Sequence, residues 1–545
     1  MEHLFKQLRK YADGDMYPYH MPGHKRQAWG ALPQQLYELD ITEIEGFDNL
    51  HQAEGILQEL QKKAARIYGA DESFYLVNGS TCGILCAVSS ALPSGGHILM
   101  NRNCHRSAYH GAYLRNLTIS YLWPAYMKEY DIYDAVTAEQ IREALEQEPD
   151  IGAVLIVSPT YEGRVADVKA IAETVHAKGI PLIVDEAHGA HLGLAEGFWP
   201  NSCQAGADLV IHSVHKTLPS LTQTALLHVK GERINRALVK RFLHIYQSSS
   251  PSYLLMASID NALEFVELDG SKAFESFAAS YGRMMRHLGG CRHLHFLQAT
   301  QPGGGSEQHN RQQKKMSDQE ASKQRELADQ NPKQEQKKLP RGRGPDRQDI
   351  GKLLISVKGT GLTGHQLYET LLEKYHLQTE MAAESYVLAM FTLNDGEEAY
   401  ERMTHALLEI DGSLPDSLEV GGSDEGTEAQ SENSGIDGSA KPWGEAAIPL
   451  AQAWDMAGEE VLLENGIGRC AGEFVNLYPP GIPLLVPGEI ITKELWGKIR
   501  RAWEQGLTVQ GIHIYKNKRS DAKMGSEDED YESSVCGEGI YVKVI

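Results

Sequence analysis

Asp185-Glu186-Ala187-His188-Gly189-Ala190-His191 directly follows a short apolar run, Ile180 to Val184, which has the composition of a buried strand. A second polar segment, Ser213-Val214-His215-Lys216-Thr217, comes soon after another such run, Leu209 to Ile211. In an open α/β sheet, ligands bind in the crevice beyond the carboxyl ends of the strands. We therefore expect Asp185 and Lys216 to meet at one edge of a sheet.

A lysine and an acid in this arrangement indicate a site for pyridoxal phosphate (PLP). Behind a buried strand, the Lys216 amine would be partly desolvated, which lowers a lysine pKa and frees the amine to form a Schiff base. The Asp185 carboxylate would hold the protonated pyridine nitrogen, which keeps the ring an electron sink. Two simpler interpretations stay open: Lys216 as a solvated surface charge, and Asp185 as a helix N-cap or loop acceptor.

The phosphate of such a cofactor needs an anion-binding turn. Asn78-Gly79-Ser80-Thr81-Cys82-Gly83 stands between a predicted strand and a predicted helix, so it would present backbone N–H groups and two hydroxyls, Ser80 and Thr81, at a positive helix end. Ser213, three residues before Lys216, offers another hydroxyl. The alternative is a plain helix cap by Ser80 or Thr81.

Histidines around these motifs are further candidates. His105, in Asn103-Cys104-His105-Arg106-Ser107, has a flat ring suited to stacking on a planar cofactor. Ala187 could pack under the same ring. His188 and His191 could instead ligate a metal. No further ligand cluster stands near them in the sequence, so we expect no metal site.

The order of the elements predicts an α/β protein. From about Asp40 to Gly231, apolar runs alternate with helical patterns, as in a mostly parallel sheet with crossover helices. We predict strands at Phe74 to Val77, Ala153 to Val157, Pro181 to Val184, Leu209 to Ile211, Thr224 to Val229, Lys352 to Val357 and Ile540 to Ile545. We predict helices at Ile84 to Leu92, Val168 to Ala177, about Ser258 to Leu288 and Gln366 to Tyr375.

Composition divides the chain into regions. Residues 301–348 are rich in Gln, Lys, Arg, Gly and Asp and too poor in apolar residues to offset the entropy of ordering. We predict an N-terminal segment at 1–39, a PLP-binding large domain at 40–300, a polar disordered insertion at 301–348, and a smaller α+β C-terminal domain at 349–545. Two low-complexity insertions, at about 412–441 and 517–534, would interrupt that last domain.

The overall composition excludes several classes of protein. The formal net charge of −22 argues against nucleic acid as a partner, because phosphate binding needs basic patches. No apolar run approaches the length of roughly 20 residues that spans a bilayer, and no signal peptide is evident. Seven scattered cysteines are typical of reduced thiols in the cytoplasm.

With these residues assembled, the chain closely resembles the Orn/Lys/Arg decarboxylase family of fold type I PLP enzymes. The segments that carry the resemblance are His20 to Lys25, Asp40 to Glu43 with Asp48 to His51, Asn78 to Thr81, Asp185 to His191, Ser213 to Lys216, and Tyr478 to Pro483 with Pro487 to Glu489. The resemblance implies a large domain with a mostly parallel, seven-stranded sheet. It also implies decarboxylation of arginine, lysine or ornithine to a polyamine or a precursor such as agmatine or cadaverine.

The resemblance further implies a role for each candidate residue. Lys216 would carry the cofactor, and Asp185 would pair with its ring nitrogen. The phosphate or the adjacent cofactor would be contacted by Ser80, Thr81, Ser213 and His215. His105 would stack on the cofactor ring. The other side of the ring would be lined by Ala187 and His188. The proton would return to the substrate from Lys216 or His215. Glu380 and Glu489 are candidates for binding the cationic side chain of the substrate.

Family members place their active sites at a dimer interface, so we expect a homodimer or a higher homo-oligomer. The chain resembles the short branch without an N-terminal wing domain, so decamers are not expected. Two alternatives stay open: another fold type I reaction, that of an aminotransferase or aldolase-like lyase, and an inactive homologue with a regulatory role. No arginine stands out as the α-carboxylate clamp that an aminotransferase needs.

Overall fold

The computed structural model describes residues 3–28, 30–298, 347–415, 443–477, 481–504, 506–515 and 539–545. Residues 301–346 and 416–441 of the predicted insertions, all of 517–534, and Tyr478 to Pro480 of the motif near the C-terminus lie outside the described residues. In the described part of the chain no helix is both long and apolar enough to cross a membrane.

The described residues up to 298 contain ten strands. They are β1 (Glu72–Leu76), β2 (His97–Asn101), β3 (Thr118–Leu122), β4 (Tyr126–Met127), β5 (Ile132–Tyr133), β6 (Ala153–Val157), β7 (Leu182–Asp185), β8 (Leu209–His212), β9 (Ala225–Val229) and β10 (His295–Phe296). Seven of them form one sheet in the order β1-β9-β8-β7-β6-β2-β3. The strand β9 runs antiparallel to both of its neighbours, and the other pairs are parallel.

Alternate residues along the central strands face opposite sides of this sheet. Leu155 and Ile183 contribute to one apolar core, while Val154 and Val184 contribute to another. Strands that are covered on both faces need apolar side chains at every position, which explains the continuous apolar run Ala153–Val157. The predicted mostly parallel sheet is therefore present, and both of its faces are covered.

The same part of the described chain contains eleven helices. They are α1 (Leu4–Ala12), α2 (Gln34–Leu39), α3 (Ile56–Tyr68), α4 (Gly79–Ala91), α5 (Arg106–Leu114), α6 (Ala138–Gln147), α7 (Val168–His176), α8 (Val214–Thr217), α9 (Arg236–Tyr246), α10 (Tyr253–Leu268) and α11 (Gly270–Leu288), with a 3₁₀ turn at Leu50–Gln52. The helical pattern predicted from Ser258 to Leu288 is two helices, with Asp269 between them. The helix predicted to begin at Ile84 begins five residues earlier, at Gly79.

The rest of the chain builds two further units with their own sheets. The first contains α12 (Gly364–Tyr375), α13 (Glu397–Ser413) and a four-stranded antiparallel sheet of β10, β11 (Lys352–Ser356), β12 (Met381–Ala382) and β13 (Tyr386–Met390). The second contains α14 (Leu450–Ala453), α15 (Lys493–Glu504), β14 (Glu459–Leu462), β15 (Val475–Leu477), β16 (Ile482–Leu485), β17 (Val509–Gln510), β18 (His513–Tyr515) and β19 (Gly539–Val544). A separate apolar core, including Leu485 and Ile499, holds the second unit together.

The edges of two predicted insertions are ordered parts of the fold. Gln348 is fully buried and forms a bridge with Arg164 of the large domain. Arg347 lies over the ring of Trp199, with 5.1 Å from the guanidinium carbon to the ring centroid. Helix α13 continues to Ser413, past the predicted start of the second insertion at Gly412.

Candidate active site

Asp185 and Lys216 lie at the same edge of the large sheet, as predicted. Asp185 is the last residue of β7, and its partner on the adjacent parallel strand β8 is Ile211. From there the chain enters the one-turn helix α8, which carries Lys216. Because β7 and β8 are parallel neighbours, both side chains reach the space beyond their carboxyl ends.

The two adjacent acids after β7 have different surroundings. Asp185 is buried and accepts a hydrogen bond from the backbone N–H of Ala187, at 3.2 Å. Burial raises the pKa of Asp185, and the nearby ammonium group of Lys216 opposes that rise. Glu186 instead accepts hydrogen bonds from Ser202, and its carboxylate lies 2.7 Å from Nε2 of His212. Of the two acids, Asp185 is the one that interacts with Lys216.

The amine of Lys216 is held close to an imidazole. Its Nζ lies 3.0 Å from Nε2 of His188. Partial burial lowers the pKa of Lys216, while the charges of Asp185 and Glu380 raise it. A lowered pKa increases the fraction of the neutral, nucleophilic amine at a given pH.

A second lysine lies on the far side of the same imidazole. Lys352, the first residue of β11, places its Nζ 3.0 Å from Nδ1 of His188. Its side chain is buried, and burial lowers its pKa to about 8. The ring of Tyr161 packs against His188, with the ring centroids 5.0 Å apart and an interplanar angle of 75°. The sequence did not indicate Lys352 or Tyr161 as site residues.

The turn predicted to bind phosphate opens helix α4. No side chain caps this helix: Oδ1 of the N-cap residue, Asn78, accepts from the backbone of Ser248 instead. The backbone N–H of Gly79 donates to the carbonyl of Gln223 at 2.9 Å, which places Ser80 beside the loop that follows Lys216. The helix-cap alternative is therefore not what the structure shows.

Ser213 belongs to the same region, because the N–H of the next residue, Val214, donates to the carbonyl of Thr224, the neighbour of Gln223. The side chain of Ser213 is fully buried, and no described residue gives its Oγ a hydrogen-bond partner. A buried hydroxyl in this state is costly unless a ligand satisfies it. An oxygen-rich anion at the start of α4 would provide that partner.

His105 is the N-cap of helix α5 and accepts a hydrogen bond from the backbone of Ser107 at 3.2 Å. Burial and the charge of Lys216 lower the pKa of His105 to about 4. The imidazole is therefore neutral, and it lies near enough to Lys216 to feel its charge. A neutral flat ring at this place suits the predicted stacking on a cofactor.

His215 is oriented by the backbone. Its Nδ1 lies 2.7 Å from the carbonyl oxygen of Thr224, which can only accept a hydrogen bond. The proton of the neutral ring therefore sits on Nδ1, and Nε2 presents a lone pair. Burial lowers the pKa of His215, which favours this neutral form.

The two histidines weighed as metal ligands have other partners. His188 lies between the two lysines, and Nε2 of His191 lies 2.9 Å from the buried carboxylate of Asp349. Across the described ranges, no group of three or more His, Cys, Asp and Glu side chains is arranged to hold a metal ion.

The two acids considered for the substrate side chain differ in availability. Glu380 is exposed, accepts a hydrogen bond from the hydroxyl of Tyr161 at 2.5 Å, and interacts electrostatically with both Lys216 and Lys352. Glu489 is buried and forms a bidentate pair with fully buried Arg102, at 2.9 Å to Nε and 2.8 Å to Nη2. The role suggested for Glu489 is therefore not supported, because Arg102 already occupies both of its oxygens.

The residues at this edge fit PLP. They provide a partly buried amine with a lowered pKa, a buried acid beside it, an uncapped helix N-terminus, and a buried hydroxyl that no described side chain or backbone group satisfies. These are the groups that a planar, phosphorylated aldehyde with a basic ring nitrogen requires.

Comparisons with known proteins agree with this assignment. The family model for the major domain of Orn/Lys/Arg decarboxylases matches residues 2–277, and the model for their C-terminal domain matches residues 445–500. The arginine decarboxylase of Bacillus subtilis is 30% identical over 520 residues, which cover 93% of this chain and 95% of that protein. The uncharacterized protein YaaO of the same bacterium is 32% identical over 536 residues, which cover 95% of this chain and 97% of YaaO.

More distant relatives match less of the chain in sequence but show the same fold. The inducible lysine decarboxylase of Escherichia coli K12 is 26% identical over 296 residues, covering 49% of this chain and 41% of that protein. The solved structure of the E. coli constitutive lysine decarboxylase superimposes with a TM-score of 0.73 at 18% identity, covering 99% of this chain and 81% of that chain. The predicted fold type I architecture is confirmed, and the chain belongs to the Orn/Lys/Arg decarboxylase family, as a PLP-dependent decarboxylase of a basic amino acid.

Proposed function

We propose that the substrate is arginine and that the products are agmatine and CO2. The observation that carries this choice is the extent of the similarity. The B. subtilis and Bacillus anthracis proteins named arginine decarboxylase each match 93% of this chain, whereas the E. coli inducible lysine decarboxylase matches 49%.

Side-by-side kinetics on arginine, lysine and ornithine test the choice. We expect the highest kcat/KM for CO2 release with arginine, because substrate discrimination reflects differential binding in the transition state. A higher kcat/KM with lysine or ornithine would replace arginine as the substrate. Formation of pyridoxamine phosphate without CO2 release would instead favour the aminotransferase alternative.

We assign the cofactor contacts by position. Lys216 would hold the cofactor covalently, Asp185 would hold its ring nitrogen, and His105 would stack on the ring. Ala187 and His188 would line the opposite side, and Ser80, Thr81, Ser213 and His215 would surround the phosphate. When bound, PLP supplies an electron sink for the electron pair that CO2 leaves on Cα.

The orientation of the two proton-donor candidates favours Lys216 over His215. The single N–H proton of the neutral His215 ring is directed at the carbonyl of Thr224. Nε2 of His215 can therefore accept a hydrogen bond but not donate one. The amine of Lys216 can carry a proton at a freely rotating Nζ. Lys216 is therefore the group that returns a proton to Cα.

Replacing Ser213 with alanine should weaken PLP binding about tenfold, because a hydrogen bond to a charged phosphate is lost. The dissociation constant of the cofactor, measured by absorbance titration of the stripped protein, checks this. Ser90→Ala is the matched control, since Ser90 is also buried but its hydroxyl donates to a helix carbonyl, that of Ala87. Equal cofactor affinity in the Ser213 and Ser90 variants would remove Ser213 from the phosphate site.

Glu380 is the acid best placed for the cationic end of the substrate. It is exposed at the active site and interacts electrostatically with Lys216 and Lys352. We expect Glu380→Gln to raise KM for the basic amino acid about tenfold, a cost of about 1.4 kcal/mol, with a smaller change in kcat. Steady-state kinetics measure this, and exposed Glu384→Gln serves as the control. An unchanged KM in Glu380→Gln would move side-chain recognition elsewhere.

We further propose a homodimer or higher homo-oligomer in the cytoplasm. Apolar side chains of the N-terminal segment are strongly exposed in the single chain, with Met16 at 65%, Tyr19 at 90% and Met21 at 67%. Several strongly exposed apolar side chains within one short segment are typical of protein–protein contact. The cysteines resolved as free thiols are consistent with a reducing compartment. Sedimentation velocity that showed only monomer would reject the assembly.

A further inference from the structure

Two lysines from different parts of the fold share one histidine at the active site. Lys216 comes from helix α8 of the large domain, and Lys352 comes from strand β11. Each Nζ lies 3.0 Å from a different nitrogen of His188. The three side chains therefore form a continuous hydrogen-bonded line, referred to below as the Lys–His–Lys relay.

An imidazole can make only two ring N hydrogen bonds, and this limits how many protons the Lys–His–Lys relay can hold. Burial and the charges of both lysines hold the pKa of His188 well below its usual range, so the ring is neutral. A neutral imidazole has one N–H donor and one acceptor nitrogen. One lysine must then donate to the ring and the other must accept from it. An ammonium group cannot accept, so one of the two lysines is a neutral amine.

The geometry points to a single proton that Lys216 and Lys352 share across His188, with Lys352 acting as the proton reservoir of the cofactor-holding amine. In one state, charged Lys352 donates a hydrogen bond to Nδ1 of His188, and the Nε2–H of His188 donates to neutral Lys216. In the other state, Lys352 has given a proton to Nδ1, and Nε2 has passed its proton to Lys216. Both states satisfy every hydrogen bond in the line, and the total charge is the same.

The charged surroundings keep one proton in the relay. The groups that face Lys352 are Asp349, Glu380, Glu162, Lys216 and His188. The groups that face Lys216 are Asp185, Glu380, His188, His105 and His215. Acids thus flank both ends, which disfavours two neutral amines, while mutual repulsion and burial disfavour two charged ones.

The backbone of Gly163 approaches the side chain of Lys352 closely and so fixes its position. Gly163 has φ = +96°, and a Cβ placed there would lie 2.7 Å from Cβ and Cγ of Lys352. The stem of Lys352 therefore packs directly against the Gly163 backbone, in a conformation that other residues rarely adopt. The cation also lies 5.4 Å from the centroid of the Tyr161 ring. Lys352 is a positioning residue in this arrangement, because it acts on Lys216 through His188.

The relay has a consequence for each turnover. This inference rests on the proposed role of Lys216, whose amine must be neutral to attach the cofactor and protonated to return a proton to Cα. Lys352 provides, through His188, the proton that Lys216 returns to Cα. Because that proton leaves in the product amine, solvent must restore one proton to Lys352 in each turnover, while Lys216 is left neutral and ready to attach the cofactor again.

The test measures cofactor attachment rather than turnover alone. Full-length protein stripped of cofactor is mixed with pyridoxal phosphate, and the rate of covalent attachment is followed by absorbance across pH. In Lys352→Met the like charge next to Lys216 is gone, so the pKa of Lys216 rises and attachment requires a higher pH. We expect the pH midpoint to rise by about one unit, which makes attachment about tenfold slower below the midpoint.

Arginine at the same position separates a relay from a fixed charge. Lys352→Arg keeps a cationic donor to Nδ1 but cannot release its proton. It should retain the low midpoint for attachment while kcat falls about tenfold. Full kcat in Lys352→Arg would overturn the relay, and so would an unchanged midpoint in Lys352→Met.

Two controls distinguish failure of the relay from failure of the proposed role of Lys216. Lys63→Met removes another buried lysine, one paired with Asp260 and Glu267 on helix α10, and should leave the midpoint unchanged. A shift of the same size in Lys63→Met would overturn the relay, because loss of any buried lysine would then be enough to raise the pH midpoint. If the unmodified protein forms no covalent bond with PLP at all, the proposed role of Lys216 fails rather than the relay.

Discussion

Lys216→Ala is expected to abolish covalent attachment of PLP and to lower kcat by about three orders of magnitude or more. Loss of a residue that forms the covalent bond and moves protons has effects of this size, because no neighbouring group takes over both tasks. The neighbouring amine, Lys352, lies on the far side of His188 and is not placed to substitute.

Mass spectrometry gives the direct measurement. Borohydride reduction should add the mass of the cofactor to the peptide that contains Lys216 in the unmodified protein and to no peptide in Lys216→Ala. Lys358→Ala is the control, because Lys358 is partly exposed and pairs with Asp131 away from the site. Reduction that fixed cofactor on another lysine, or near-normal turnover in Lys216→Ala, would contradict the assignment.

Asp185→Asn is expected to lower kcat about a hundredfold. The amide keeps the size of the side chain but loses the negative charge that favours a protonated ring nitrogen, and preorganised charges of this kind contribute about 100- to 1000-fold to rates. Desolvation strengthens the effect, since Asp185 is buried. The visible absorption spectrum of the bound cofactor and its pH dependence should change together with kcat.

The control for that variant is another buried aspartate on the same sheet. Asp208 precedes β8 at the opposite edge, where it accepts from the backbone of Leu182 and contacts His176. Asp208→Asn should lower stability but leave the cofactor spectrum unchanged. A spectrum that changed in Asp208→Asn but not in Asp185→Asn would place the ring nitrogen elsewhere.

Local sequence patterns predicted five of the seven strands of the large sheet, missing β2 and β3, and half of the site. Strand β6 was predicted with its observed bounds, because a strand buried on both faces has apolar side chains throughout. Asp185 and Lys216 were correctly placed at one edge, since adjacent parallel strands end together. The start of α4 was predicted late, because its first turn, Gly79 to Gly83, is poor in large apolar side chains.

The other half of the site depends on contacts between distant segments. Lys352 is separated from His188 by 164 residues and reads in the sequence as a charge at the start of a strand. Tyr161 gives no local signal, because a tyrosine after a strand is common. The pairing of β14 with β19 likewise joins Glu459 to Val544 across one predicted insertion, which no periodicity reveals.

The buried pair of Arg102 and Glu489 has a consequence for synthesis on the ribosome. Its partners are 387 residues apart, so the guanidinium of Arg102 is synthesised long before the carboxylate of Glu489. At about 5–20 residues per second, that interval is roughly 20 to 80 s. A chain that lacks one partner of a buried ion pair is strongly destabilised. We therefore expect nascent chains released before Glu489 to remain soluble only with chaperone assistance.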